Sequence, residues 1–337
     1  MSYRAIPLVQ TSVNMNVGSG HFSERSSLRS GDSALVCHAQ RSEASLVKIR
    51  ILDYGTNEAL GLKINGGDFV PTLKLKDVEI HYEVHGEGQP MVFLSETACD
   101  GEVWKIYQVP EFSKDHRVII HDYRGTGRSS KPSVDYTTKM FCEDLVALMD
   151  HLKAEDAIVI GHSMGGRIAQ LLALDYPERV KKLILASTGA HYPLTKGLPL
   201  KICKEMIEWG YEKYERDHSI LVGFTDEFAK QHPERVEHYL KVRMSNLCPV
   251  EFYLRHLLAR QSHDTSGRLK DIRVPTLILV GEDDRNMTSE INHRMSSDIL
   301  ARGIPNSKLA LLKDERHSYF FAAPDAAHKA IREFLKD

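Results

Sequence analysis

The sequence predicts an α/β fold in which a mostly parallel central sheet is flanked by helices and interrupted once by a helical cap. Two observations carry this. Five short runs, residues 91–94, 118–120, 157–160, 183–186 and 276–280, are almost wholly apolar, as strands buried on both faces are, and helical segments separate them. The alternation stops between residues 191 and 271, where the pattern is mainly helical, and resumes at Val274. An excursion between two strands of one sheet is most simply an inserted cap.

Each element has its own reason. Residues 1–45 are rich in Ser, Arg, Gly and Asn without periodicity, so a leader lacking order is expected there. The absence of an amphipathic helix argues against an organelle transit peptide. Residues 47–52 and 60–64 read as two short strands. Leu73, Leu75, Val78, Ile80, Tyr82 and Val84 alternate with polar residues around Lys76-Asp77, the pattern of an antiparallel hairpin with one buried face. Helical spacing joins Met140, Phe141, Leu145, Leu148, Met149 and Leu152, then Ala169, Leu172 and Leu174, and within the cap residues 202–209 and 250–260. The expected domains are the leader to residue 45, a core from 46 to 190, the cap from 191 to 271, and the rest of the core from 272 to 337.

Length and composition narrow the function. A chain of 337 residues holds one large α/β domain with an insertion, or two ordinary domains. Lys and Arg number 44 against 46 Asp and Glu, a net charge of -2, which offers no basic field for nucleic acid and points to a small-molecule partner. The five cysteines, Cys37, Cys99, Cys142, Cys203 and Cys248, are widely spaced with no C-x-x-C pair, which favours thiols in a reducing compartment and supports no zinc site. No run approaches the roughly 20 apolar residues needed to cross a bilayer, and the start has no signal-peptide core. A cytoplasmic protein without membrane partner, metal or organic cofactor is expected.

The chemistry is concentrated at Ile158-Val159-Ile160-Gly161-His162-Ser163-Met164-Gly165-Gly166, a β-branched run entering a sharp turn and then a helix. Such a nucleophile elbow holds a serine hydroxyl clear of the backbone, with small neighbours permitting a strained turn and a helix N-terminus aimed at the reacting atom. A serine needs a base, and the base an orienting acid; in this arrangement they follow in the order Ser, Asp, His at strand ends. Asp284 lies just past residues 276–280 and His317 after residues 309–312. Asp283 competes with Asp284 but suits a turn cap. With 17 histidines in the chain, only its position after the last strand singles out His317.

With these residues, the chain resembles the α/β-hydrolase superfamily from about residue 73 to 335. His121-Asp122-Tyr123-Arg124-Gly125-Thr126-Gly127-Arg128-Ser129 resembles the family's D-x-R-G-x-G-x-S turn, and Pro275-Thr276-Leu277 with Gly281-x-x-Asp284 resembles its acid-strand motif. Residues 94–104, Phe224-Thr225 and Cys248-Pro249 are similar to the 3-oxoadipate enol-lactonase branch. The resemblance implies a Ser163-Asp284-His317 triad, an oxyanion hole from the backbone N–H groups of Thr97 and Met164, and a structural role for Asp122 and Arg124. It also implies hydrolysis of a small ester, lactone or amide through an acyl-enzyme. Carbon–carbon hydrolysis of ring-cleavage products, or a low-turnover small-molecule receptor, are the alternatives. The chain departs from the family pattern at Ser95-Glu96, where many relatives have His-Gly, at Thr288, where proline is frequent, and at Arg316, where glycine is common.

Trp104, Trp209, Phe224, Phe252 and Tyr253 are candidates to line an acyl pocket, although aromatic residues at helical spacing more often pack in a core. Glu96 sits beside the expected donor Thr97. It is expected to turn into the loop's own hydrogen bonds or else to face the pocket with a raised pKa, the first being favoured because an anion opposite an oxyanion opposes catalysis.

Overall fold

The computed structural model describes residues 11–16, 23–30, 33–41, 46–53, 71–191, 198–284 and 292–337, which fall into two compact units. The first unit comprises Met1–Val70, Ser133–Asp135 and Leu194–Glu215. It contains strands β1 (Thr11–Asn16), β2 (Ser23–Ser30), β3 (Ser33–Arg41) and β4 (Leu46–Asp53), an antiparallel sheet in the order β1-β4-β3-β2. Residues 1–45, expected to lack order, therefore carry three strands. Composition missed them because β3 is completed by β4, with Arg41 opposite Val47 and Cys37 opposite Ile51, and β4 lies beyond residue 45. The strand expected over 47–52 is β4, and the one expected over 60–64 lies outside the described residues. The boundary expected at residue 45 falls instead after Val70.

The second unit is built on an eight-stranded sheet. Its strands are β5 (Thr72–Lys74), β6 (Glu79–His85), β7 (Gln89–Leu94), β8 (His116–His121), β9 (Ala157–His162), β10 (Val180–Ala186), β11 (Thr276–Gly281) and β12 (Ser307–Leu312), in the order β12-β11-β10-β9-β7-β8-β6-β5. Strands β7 to β12 run parallel, whereas β6 is antiparallel to β8, and β5 closes the expected hairpin with Leu73 opposite Ile80. Every residue of β9 and β11 is buried, as their unbroken apolar runs require. The two-residue period sends Val92, Leu94 and Val159 to one face and Met91, Phe93, Ile158 and Ile160 to the other.

Helices α1 (Gln108–Phe112), α2 (Thr138–His151) and α3 (Met164–Asp175) follow in the first half. Phe141, Leu145 and Leu148 of α2 and Ile168 and Leu172 of α3 cover the first face. Phe112 of α1 packs on the other face with residues near the C-terminus. Between β10 and β11 come α4 (Leu198–Trp209), α5 (Tyr211–Gly223), α6 (Asp226–Gln231), α7 (Pro233–Ser245) and α8 (Val250–Gln261), so the expected excursion is helical. It is not one compact piece, because residues up to Glu215 group with the first unit and those from Arg216 with the second. The chain ends with α9 (His293–Gly303), α10 (Tyr319–Ala322) and α11 (Pro324–Lys336), whose Ile331 and Phe334 complete the second face. Among the described residues, no helix is long and apolar enough to cross a membrane.

Strand order reverses at β7, which pairs with β8 on one side and β9 on the other. A crevice therefore opens beyond the carboxyl ends of β7 and β9, where parallel α/β sheets present their ligands. The interior is unusually rich in imidazole. Burial pushes His121, His162, His218 and His256 down to about 4 and His263 to about 3. An unfolded chain protonates these rings as pH falls through about 6.5, whereas the native protein resists until the lower values, so their contribution to stability is complete above about 6.5 and is lost towards pH 4. Asp100 and Glu315, held up to about 7 by burial, oppose the trend but are outnumbered. The urea midpoint should fall between pH 7 and pH 5, by about 1.4 kcal/mol of stability per pH unit for each net proton; a midpoint that holds or rises over that range would contradict this account.

Candidate active site

Ser163 joins β9 to α3 with φ 54° and ψ -110°, a conformation that costs a non-glycine residue energy and must be held from outside. The surrounding contacts do so. The Ser163 N–H donates to the Ala186 carbonyl at 2.9 Å, and the Thr188 hydroxyl donates to the Ser163 carbonyl at 2.7 Å. The flanking glycines are there for approach: a Cβ on Gly161 would strike the Gly165 carbonyl, and a Cβ on Gly165 would strike that of Leu94. The second approach brings the first turn of α3 against the loop that leaves β7. The Gly165 N–H donates to the Ser95 carbonyl at 3.0 Å, which places Met164 beside that loop.

The loop, residues 95–100, is fixed from below. Tyr123 donates its hydroxyl to the Ser95 carbonyl at 3.0 Å, Trp104 its indole N–H to Ser95 Oγ at 2.8 Å, and Ser95 Oγ donates in turn to the Asp100 carbonyl at 3.0 Å. Trp104 is 1% exposed and packs on Phe93 and Phe320, so it anchors the loop. Phe252 stacks on Tyr136 in the core, and Phe224 packs between Phe228 and Tyr239. Each of these rings takes part in an apolar cluster. Asp122 accepts from the N–H groups of Gly101 and Arg128, and Arg124 forms a paired contact with Asp144 at 2.7 Å and reaches Asp77 at 2.9 Å, all structural roles.

Beyond β11, Asp284 is fully buried with Oδ2 2.8 Å from Nδ1 of His317. Asp283 instead receives Arg316 Nε at 3.2 Å. Arg316, the departure from glycine, also donates to the carbonyls of Leu221 and Phe224; Thr288 lies outside the described residues. The His317 ring is flanked by two imidazoles that the sequence reading did not single out. His162 lies 4.6 Å away between ring centres, with Nε2 3.1 Å from the His317 carbonyl, and His293 is stacked at 4.7 Å. Burial holds both flanking rings below their ordinary pKa, so they are neutral at pH 7. Burial also works against the His317 imidazolium, but the carboxylates of Asp284 and Glu96 outweigh it and raise the pKa of His317. Despite its burial, the carboxyl of Asp284 is held down to about 2 by His317 and His293.

Glu96 does not turn into its own loop. Its Oε1 accepts from Tyr239 at 3.1 Å and from Arg243 at 2.7 Å, both on α7, while Oε2 lies 3.8 Å from Nε2 of His317. Its pKa is not raised either: burial opposes ionisation, but Arg243 and the neighbouring imidazoles bring the carboxyl to about 2. Thr97 is likewise tethered to the helical excursion, its Oγ1 accepting from Arg260 of α8 at 3.1 Å. No local motif could have found Tyr239, Arg243 and Arg260, which arrive from more than 140 residues away. Among the described residues, Glu96, His162 and His317, or Asp284, His293 and His317, bring donor atoms close enough to hold a metal ion, but both groups share His317, whose Nδ1 is committed to Asp284.

Comparison with known proteins agrees with this geometry. The family model for the alpha/beta hydrolase fold matches residues 84–324. A proposed carbamate hydrolase, RutD of Azorhizobium caulinodans, is 27% identical over 77% of this chain and 95% of its own length. The 3-oxoadipate enol-lactonase 2 of Acinetobacter baylyi is 27% identical over 80% of this chain and 97% of its own. The crystal structure of the enol-lactonase from Burkholderia xenovorans LB400 superposes with a TM-score of 0.70 at 25% identity, over 79% of this chain and all of that one. The elbow's close packing gives a direct test. Gly161→Ala should cost about 1–3 kcal/mol or more, since the obstacle is backbone that cannot swing aside, and should abolish activity together with stability. Wild-type stability in that variant, measured by urea unfolding, would mean the contact is looser than described.

Proposed function

Because the chain belongs to the α/β-hydrolase family, we propose that it is a serine hydrolase that cleaves a small carboxylic ester, lactone or amide through an acyl-enzyme. The observation that carries this reading is the 2.8 Å contact from Asp284 to His317, at the sheet edge where Ser163 occupies its strained turn. Asp284 fixes the tautomer with Nδ1 protonated, which leaves Nε2 of His317 to take the Ser163 proton. Ser163 then attacks the carbonyl carbon, and the oxyanion is received by the backbone N–H groups of Met164 and Thr97. His317 returns the proton to the leaving group as the bond breaks, then activates the water that releases the acid. Names among the relatives, an enol-lactonase and a proposed carbamate hydrolase, favour the same bond class. In this reading the helices α7 and α8 act as the cap, and the spacing of the cysteines favours a reducing, cytoplasmic compartment.

Ser163→Ala and His317→Ala should each lower kcat by about a thousandfold or more on the best ester found, with circular dichroism unchanged. Labelling by a fluorophosphonate should disappear in Ser163→Ala. Because His317 must be neutral to act as base, kcat/KM should rise with pH through the raised pKa of His317, above about 6.5. Retention of more than a few per cent of the rate in either folded variant would rule the triad out.

A further inference from the structure

Glu96 is a half-buried carboxylate placed where a serine hydrolase gains nothing from it in stabilising an oxyanion. Its Oε1 is occupied by Tyr239 and Arg243, so the side chain cannot swing away without breaking two bonds to α7. Those bonds aim Oε2 at Nε2 of His317 from 3.8 Å, too long for a direct hydrogen bond and short enough to leave one acceptor beside the proton-transferring atom. Under the hydrolase reading, the leaving atom must come within about 3 Å of the same Nε2 to receive its proton. Any polar group carried next to that atom therefore comes within reach of Oε2, while Oε1 is already taken by Arg243 and Tyr239. A donor there gains a charge-assisted hydrogen bond, while a second anion is repelled at low local dielectric.

We propose that Glu96 is a specificity-determining residue for the leaving group, selecting substrates whose leaving group bears an ammonium or N–H donor close to the scissile bond and rejecting those whose leaving group is anionic. The inference rests on the serine-hydrolase reading and deepens it. The chemistry is unchanged by it: the carbonyl–oxygen or carbonyl–nitrogen bond breaks, the electron pair leaves with the heteroatom, and the proton comes from Nε2 of His317. Glu96 contributes by holding the leaving group's donor during that transfer. The charged and titratable groups around this carboxylate are Arg243, His162, His317 and His218, with Arg260 acting on His317 from the Thr97 side and Tyr239 donating a neutral bond to Oε1.

The test is a series of acetyl esters of one acyl group and near-equal length: 3-aminopropyl, butyl and 3-carboxypropyl. For the wild type, kcat/KM should fall in that order, by about tenfold at each step. Glu96→Gln should flatten the order, with loss on the ammonium ester and gain on the carboxylate ester, and Glu96→Asp should restore part of it because the charge returns one methylene further back. Melting temperatures of all variants keep a folding defect separate from a change of order. A flat or reversed order in the wild type, or an order that survives in a folded Glu96→Gln, would overturn the assignment of Glu96 while Ser163-dependent hydrolysis of the butyl ester still stands. No hydrolysis of any ester, together with no fluorophosphonate labelling of Ser163, would overturn both readings.

Discussion

The positive φ of Ser163 is the constraint from which the rest of the site follows. A strained residue persists only where its surroundings over-determine it, and here the surroundings are β10 and β7, the two strands on either side of β9. The β10 edge receives the Ser163 N–H, and the Thr188 hydroxyl holds its carbonyl. The end of β7 presses so closely on Gly165 that no larger residue fits. That pressure has a second effect. By bonding Gly165 to the Ser95 carbonyl, it locks the loop after β7 to the first turn of α3, so Ser163 and the backbone N–H groups proposed as donors are positioned by one set of contacts. Preorganisation of this kind is what an oxyanion site requires, because donors that need no rearrangement give most of their interaction to the transition state.

Charge around His317 is the other determinant. The imidazole lies between two ionised carboxylates, Asp284 on Nδ1 and Glu96 beyond Nε2, and its faces are covered by the neutral rings of His162 and His293. Neutral rings matter there, since a second imidazolium 4.6 or 4.7 Å away would oppose the charge that His317 takes up on accepting a proton. Burial keeps them neutral, so one physical cause, exclusion of water, both suppresses the wrong imidazoles and strengthens the carboxylate contacts of the right one.

Much of this was legible in the sequence, and the reasons differ by element. The central strands announced themselves because parallel strands buried on both faces cannot contain polar residues, and β7 to β11 follow the five apolar runs. Asp284 and His317 were legible from order and position alone, and the 2.8 Å contact between them fits that reading. The first unit was not legible, because its sheet depends on pairing between β3 and β4 across a presumed boundary, which composition does not register. Glu96 was misread for a related reason. Its fate depends on Arg243, which is 147 residues away, and a loop read in isolation contains no hint that a cation arrives to hold the carboxylate ionised. Trp104 and Phe252 were ambiguous from the start, since size and aromaticity serve a core and a pocket equally well.

The departures from the family pattern have a common consequence. Glu96 and Arg316 place long charged side chains on two separate loops near His317. Neither charge is left to solvent: Glu96 is taken by Tyr239 and Arg243, and Arg316 by Asp283 and the carbonyls of Leu221 and Phe224. In both cases partners come from the helical excursion. A glycine at either position would remove these bonds and leave the helices to apolar packing, which is non-directional, and to fewer directional contacts, such as those from the His317 and Ser318 N–H groups to the Val222 and Gly223 carbonyls. The two charges instead fix α7 and the end of α5 by bonds with defined direction, and through Glu96 the same tether reaches to within 3.8 Å of the base. The position of α7 and the charge beside His317 are thereby set by one interaction, so a change in the helices that moved Arg243 would alter the field at His317 even though Ser163, Asp284 and His317 were themselves unchanged.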